Sequence, residues 1–180
     1  GFDIVIANPP YIGERGHKEL FRKTKEGPLG AFYLGKMDYF YFFFHLALNL
    51  AGPRGEIAFI TTNYYLTAAG ARKLRADFKQ RAMIRSFVNF NELRIFETAQ
   101  GQHNIVSLIR NGRDEEVVRT CVTNRIGQAT TDVLASILKW TDEQTRYYEV
   151  SPAELYDGIE NYIRPSREQT PTEGLGPSIN

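Results

Sequence analysis

The chain opens on Phe-Asp-Ile-Val-Ile-Ala, residues 2–7, an apolar run of β character, and that run stops at Asn8-Pro9-Pro10-Tyr11. Two consecutive prolines cannot continue a strand ladder, because neither has an N–H to donate. Each also pushes the residue before it toward extended geometry. The sequence therefore predicts a buried strand over residues 2–7 that ends in a stiff, extended turn. In open α/β sheets the carboxyl ends of the strands are where ligands bind. This turn presents one carboxamide (Asn8), a backbone carbonyl (Pro9) and one aromatic ring (Tyr11) at such an edge.

Those groups suit the activation of an exocyclic amine. The lone pair of such an amine is delocalised, and it is a poor nucleophile. The Asn8 side-chain oxygen and the Pro9 carbonyl can each accept one of its N–H groups, which favours electron density localised on nitrogen as it attacks an electrophile. This is stabilisation of a transition state by fixed dipoles. Tyr11 can stack on the flat face of the base, and no metal or titrating base is required. The alternative is a Pro-Pro strand terminator followed by an ordinary aromatic.

Asp3 through Tyr11 resembles the catalytic motif of amino-methyltransferases that use S-adenosylmethionine, above all the DNA adenine-N6 methyltransferases of type II (Eco57I-like, IIG) restriction-modification systems. At average residue frequencies the tetrapeptide arises by chance in on the order of one chain in a thousand of this length. The resemblance implies catalytic roles for Asn8, Pro9, Pro10 and Tyr11. A second stretch supports it: residues 87–108 resemble the segment between the last two sheet strands of type II methylases. There an aromatic packs against the target base from the side opposite the tyrosine, and the position corresponds to Phe96. A flipped adenine has lost its stacking partners and needs two flat walls. The other reading of Phe96 is a core residue, paired with Phe90.

Composition and element order fit a single α/β domain. The chain has 180 residues, 42% apolar, with a formal charge of +1, so as a whole it is not a polycation. A lone cysteine, Cys121, excludes a disulfide framework and a cysteine-rich zinc site. The apolar stretch around residues 39–50 is too short to span a membrane, no signal peptide opens the chain, and a cytoplasmic protein is expected. Strands are predicted at 2–7, 56–62, 84–90, 104–110 and 117–123. Helices are predicted at 38–50, with Asp38 as N-cap, at 68–81, with Leu74 and Phe78 on one face, and at 131–140. Ser151-Pro152-Ala153-Glu154 reads as a capping box opening a short helix to Gly158. The strand at 104–110 follows its predecessor without a helix and is expected to lie antiparallel to a neighbour. This resembles the C-terminal half of a Rossmann-like methyltransferase sheet, mostly parallel with one antiparallel strand. The expected organisation is a partial catalytic domain over 1–123, a helical extension or the start of a target-recognition region over 124–164, and a disordered tail or linker over 165–180.

In the resembling family the cofactor lies mainly against the N-terminal half of the sheet, on a glycine-rich turn. No Gly-x-Gly-x-x-Gly occurs in this chain. The resemblance therefore implies that S-adenosylmethionine meets only Asn8, Pro10 and Asp38 here, Asp38 at the start of a helix beside the methionine end of the cofactor. It also implies that the main binding half lies outside this sequence. An isolated piece of this kind is expected to be inactive. Its first strand would carry an exposed edge able to pair with the missing half or with a second copy.

The loop over residues 12–36 carries a local excess of positive charge through Arg15, Lys18, Arg22, Lys23, Lys25 and Lys36. It is expected either to touch phosphates of double-stranded DNA beside the flipped nucleotide or to form a solvated surface loop or short helix. His45 lies inside an apolar helix and reads as a satisfied core histidine. His17 and His103 have no partners at ligand spacing, so no metal is expected. Asparagine at the head of the motif fits adenine N6. Methyltransferases acting on a protein glutamine or on guanine N2 of RNA share the tetrapeptide, and a non-catalytic DNA- or partner-binding chain is the non-enzyme alternative.

Overall fold

A computed structural model describes residues 1–98 and 102–166. In chain order the elements are β1 (Phe2–Ala7), α1 (Lys18–Lys25), α2 (Phe40–Leu50), β2 (Ala51–Thr62), α3 (Arg72–Arg81), β3 (Ala82–Asn89), β4 (Leu93–Arg94), β5 (Asn104–Asn111), β6 (Val118–Thr123), β7 (Gly127–Gln128), α4 (Thr131–Leu138), β8 (Thr145–Val150), β9 (Tyr156–Asp157) and β10 (Tyr162–Ile163).

The main sheet has the order β1-β2-β5-β3-β6-β8. Parallel pairing joins β1 to β2 and β3 to β6, whereas β5 runs antiparallel to both β2 and β3. The expected α/β sheet is thus present, with the strand after residue 104 inserted in reverse. Strand β8 adds a second reversed strand at the far edge, antiparallel to β6, from the segment expected as a helical extension or the start of a target-recognition region. These directions bring the carboxyl ends of β1, β2 and β3 and the start of β5 to one edge of the sheet.

Register decides which side chains meet which layer. Phe59, Ser107, Phe87, Thr120 and Tyr148 align across five strands on one face. Helices α2 and α3 cover that face. Helix α2 is apolar all round, and Phe40, Tyr41, Phe42, Phe44, His45, Ala47 and Leu48 are all buried. Helix α3 is polar except along one stripe, where Leu74 and Phe78 face inward as their four-residue spacing requires. Phe44 sits at the centre, its ring 4.7 Å from Phe59, 5.2 Å from Phe78 and 5.4 Å from Tyr65. On the opposite face Val106, Val88, Cys121 and Tyr147 form the matching row, packed with Val133, Leu134 and Ile137 of α4. Thr130 caps α4, its hydroxyl oxygen accepting from the Val133 amide.

Four sequence expectations need revision. Strand β1 forms where predicted but is not buried: Phe2, Ile4 and Ile6 are exposed at 61%, 64% and 76%. Ile4 and Ile6 align with Glu56 and Ala58, on the face that α2 and α3 do not cover, while Val5 and Ala7 pack into the core. Asp38 does not cap α2. Tyr39 occupies the N-cap position, no side chain caps it, and the Asp38 carboxylate instead accepts from the Tyr41 hydroxyl at 3.3 Å. The short helix, one of the forms expected of the basic loop, is present as α1, with Phe21 buried. At Ser151, where a capping box and a short helix were expected, the Ser151 hydroxyl donates to the Glu154 carboxylate and the Glu154 amide donates to the Ser151 carbonyl in a turn, and a hairpin (β9–β10) follows instead of a helix. The reason is non-local. Arg75, fully buried, donates to the carbonyls of Tyr65, Ala68 and Glu160 and lies against the Tyr162 ring, which fastens the hairpin to α3. Finally, Pro165, expected in the tail, is buried, and its carbonyl accepts from the Thr120 hydroxyl. The rest of that tail, residues 167–180, lies outside the described residues, as does the stretch from Ala99 to Gly101.

Candidate active site

Strand β1 ends at Ala7, paired with Phe59, and the chain turns away at Asn8. Pro9 is buried, while Asn8 and Pro10 are exposed. The prolines remove the ladder donors, so Ile60, one position beyond the last β1–β2 pair, loses the neighbour that a longer β1 would supply. The Tyr11 hydroxyl takes that place: it lies 3.0 Å from the Ile60 carbonyl oxygen and 2.8 Å from Asn8 Oδ1. The Tyr11 ring packs edge-on to Phe40 at 6.0 Å, and Phe40 is fully buried at the first turn of α2. Burial pushes the Tyr11 phenol up to about 12, which keeps its proton in place through the neutral range. The turn is thus fixed both by the covalent stiffness of its prolines and by contacts to β2 and α2.

The loop after the turn closes beside it. Gly13 bridges to Asp38, the Tyr39 amide donates to the Ile12 carbonyl at 2.7 Å, and the Glu14 amide donates to the Met37 carbonyl. The Glu14 carboxylate accepts from the Tyr33 hydroxyl at 2.5 Å and from the Met37 amide at 3.4 Å. Gly70 lies under this loop, where a Cβ would come within 2.1 Å of the Lys36 carbonyl oxygen, so a side chain there would displace the backbone. The result is a groove of about 450 Å³ lined by Gly13, Glu14, Arg15, Lys18, Lys36, Met37 and Asp38. Burial raises the Asp38 carboxyl above its ordinary value, against the opposing hydrogen bond from Tyr41.

The site residues expected from sequence therefore separate into groups. Asn8 and Tyr11 touch, and Arg15, Lys18 and Asp38 share the groove next to their turn. Arg22 does not act as a free cation: on α1 it pairs with Glu19 at 2.7 Å and Glu26 at 2.5 Å. Lys25 lies over the Tyr33 ring, and Lys23 is exposed. Phe96 sits two residues past β4 and is half-buried, while Phe90 is buried in the second core with Leu93. No ring contact joins Phe96 to Phe90 or to Tyr11 among the described residues. The loop that carries Phe96 leaves the same sheet edge as Asn8, anchored by the Phe90 amide on the Asn104 carbonyl and by the β4–β7 pair.

Sequence reasoning did not single out Phe40 and the Ile60 carbonyl as supports of Tyr11, or Met37 as a groove residue. Each depends on a contact between segments well separated in the chain, and only the apolar run beginning at Tyr39 hinted at one of them. Among the described residues no group of three His, Cys, Asp or Glu is placed to hold a metal, and no helix is long and apolar enough to cross a membrane.

A mixed sheet with an asparagine-proline-proline-tyrosine turn at the carboxyl end of its first strand is the arrangement of a methyltransferase-type α/β domain. The chain belongs to the Eco57I restriction-modification methylase family, whose model matches residues 1–96. It is 29% identical over 97 residues to the type II methyltransferase M.HincII of Haemophilus influenzae, an overlap of 53% of this chain and 19% of that protein. It is 24% identical over 173 residues to the type II methyltransferase M.BstVI of Geobacillus stearothermophilus, covering 93% of this chain and 30% of that protein. Among solved structures the type IIG restriction endonuclease BpuSI superposes with a TM-score of 0.59 at 16% identity, over 84% of this chain and 19% of that one, a likeness of fold. The chain thus spans less than a third of the length of these relatives.

Proposed function

We propose that this chain carries the methyl-accepting side of a DNA adenine-N6 methyltransferase within a restriction-modification protein. The observation that carries the reading is the Asn8–Tyr11 turn: an exposed carboxamide at the carboxyl end of a strand, on a backbone stiffened by two prolines and pinned through Tyr11. In this role Asn8 Oδ1 and the Pro9 carbonyl accept the two N–H groups of the adenine amine. They hold its nitrogen lone pair toward the methyl donor, and Tyr11 forms one wall of the base pocket. Phe96 is proposed as the opposite wall, because it leaves the same sheet edge and is not buried with Phe90.

S-adenosylmethionine, when bound, supplies an electrophilic methyl group on a sulfonium. The residues here fit the methyl-donating end of that cofactor: Asn8 and Pro10 are exposed at the turn, and Asp38 is a carboxylate in the adjoining groove. The surface for the rest of the cofactor is proposed to come from polypeptide outside these residues, docked along β1. The exposed row of Phe2, Ile4 and Ile6 on an edge strand supports that docking, with self-association as the competing use of the same edge. Double-stranded DNA is the proposed substrate. Arg15, Lys18 and Lys36 suit phosphate contacts better than Arg22, whose charge is already compensated.

The test uses the protein encoded by the whole open reading frame, intact and as Asn8→Ala. Labelled methyl transfer is followed to duplex DNA, RNA and protein, and the product is identified. N6-methyladenine is expected from the intact enzyme, with kcat falling by roughly 10²–10³-fold in the variant, the usual effect of removing one fixed polar group at a transition state. Label on glutamine or on guanine N2, or an undiminished Asn8→Ala enzyme, overturns the reading.

A further inference from the structure

The hydroxyl of Tyr11 has one hydrogen and two carbonyl-type oxygens within reach, Asn8 Oδ1 at 2.8 Å and the Ile60 oxygen at 3.0 Å. A phenol donates one hydrogen bond and accepts others, and a carboxamide offers an acceptor at one end and two donors at the other. With Asn8 Oδ1 toward Tyr11, the single hydrogen is shared between two acceptors and the Asn8 amino group faces outward. An outward amino group presents hydrogens to the hydrogens of an incoming amine. Turning the Asn8 carboxamide over by half a turn removes both conflicts. Asn8 Nδ2–H then donates to the Tyr11 oxygen, Tyr11 O–H donates to the Ile60 carbonyl, and Asn8 Oδ1 points outward with its lone pairs free.

We propose that the Tyr11 hydroxyl is a positioning group that sets which end of the Asn8 carboxamide faces the substrate amine, through the chain Asn8 N–H to Tyr11 O–H to Ile60 C=O. The proposal rests on the adenine-N6 reading above and adds to it a role for the oxygen of Tyr11 that is separate from the stacking of its ring. Three features of the molecule support it. Ile60 lies just beyond the last β1–β2 pair, where Pro9 and Pro10 provide no donor, so its carbonyl needs a hydrogen bond from elsewhere. Phe40 holds the Tyr11 ring edge-on, which keeps the hydroxyl directed at Ile60. The phenol also stays protonated, since burial pushes it up to about 12. Because Ile60 belongs to β2, a strand paired on both sides, the orientation of Asn8 is referred to the sheet itself.

The experiment compares the full-length enzyme with Tyr11→Phe, Asn8→Ala and the double variant, on duplex DNA carrying the target adenine. Tyr11→Phe keeps the ring and removes only the hydroxyl. Its kcat is expected to fall about tenfold, the scale of one neutral hydrogen bond, with KM for DNA unchanged within roughly twofold, since stacking is retained. In the Asn8→Ala background the same change is expected to cost nothing further, because the hydroxyl acts through Asn8. Fluorescence of 2-aminopurine at the target position, which reports extrusion of the base, is expected to be the same for Tyr11→Phe and wild type. Wild-type kcat in Tyr11→Phe, or an equal loss in both backgrounds, overturns the role of the hydroxyl and leaves the adenine reading intact. Failure of the wild-type enzyme to form N6-methyladenine overturns that reading and this role together.

Discussion

The two proposed walls of the base pocket are built in opposite ways. Tyr11 stands on a turn whose backbone is set by neighbouring prolines, and its side chain is held at both ends, by Ile60 on β2 and by Phe40 on α2. Phe96 stands on a loop whose anchors, Phe90 and Leu93, are buried, but it is itself half-buried and two residues past β4. That loop is placed by pairing with Gly127 and Gln128, more than thirty residues further along the chain. Under the proposed roles, the Tyr11 wall is held by contacts to two elements, whereas the anchors described for the Phe96 loop lie at its base, at Phe90 and Leu93. A site of this kind puts its rigidity where chemistry needs orientation, at Asn8, and leaves the second wall to adjust to a base that must enter sideways.

Removing the support of the rigid wall is the strongest way to break this contrast. Phe40→Ala empties a fully buried position among Tyr11, Tyr41, Phe44 and Tyr65, and is expected to lower stability by about 3–5 kcal/mol in denaturant unfolding. Activity of the surviving folded fraction falls as well, because Tyr11 loses its backing. A variant as stable as wild type would show that the wall does not depend on α2. Phe96→Ala should do the reverse. Stability is expected within about 0.5 kcal/mol of wild type, while binding of the extruded base weakens by about 1–3 kcal/mol, read as a rise in KM and reduced 2-aminopurine fluorescence. Loss of stability without loss of base binding would return Phe96 to the core.

The smallest expected effect is a pH dependence carried by the seat of the rigid wall. His45, fully buried on α2, stacks on Phe32 at 3.7 Å and meets Asp77 of α3 at 2.6 Å, and Arg81 binds the same carboxylate. Burial lowers the His45 value below the ordinary 6.5 in spite of Asp77, so the ring is neutral and donates through Nδ1. Burial works to raise Asp77, but hydrogen bonds from His45 and Arg81 outweigh it and hold the carboxyl below its usual range. Both groups therefore take up protons more readily in the unfolded chain. Stability contributed by His45 is complete above pH 6.5 and is lost as pH falls below it through the lower folded value; that of Asp77 is lost at more acid pH. The midpoint of thermal unfolding should decline between pH 7 and 5, and His45→Gln should flatten that decline. An unchanged slope in the variant would assign the effect elsewhere.

Much of the architecture was legible because it follows from short-range rules. The Asn8–Tyr11 stop, the strands at 104–110 and 117–123, and the Leu74–Phe78 stripe of α3 read correctly, since proline chemistry and apolar spacing act within a few residues; the strand at 56–62 was found but begins five residues earlier, at Ala51. Burial of β1 did not, because an apolar strand looks the same whether or not another layer covers it. Ser151 and Glu154 do meet, as their spacing suggests, but in a turn, and a hairpin follows where a helix was expected because Arg75, roughly eighty residues away in sequence, holds it. The basic loop showed its charge in the sequence, yet only the pairing of Arg22 with Glu19 and Glu26 separates compensated cations from those that line the groove.

By itself the sequence determined the turn proposed as catalytic: four residues fix a stiff backbone and a carboxamide at a strand end, because prolines act through covalent geometry. Only the tertiary structure decided what holds that turn and what faces it. The Ile60 carbonyl that meets Tyr11, the Phe40 ring behind it and the loop that carries Phe96 are brought to one sheet edge by strand order and register. Those depend on the packing of the whole sheet against α2 and α3, and no local stretch of sequence encodes them.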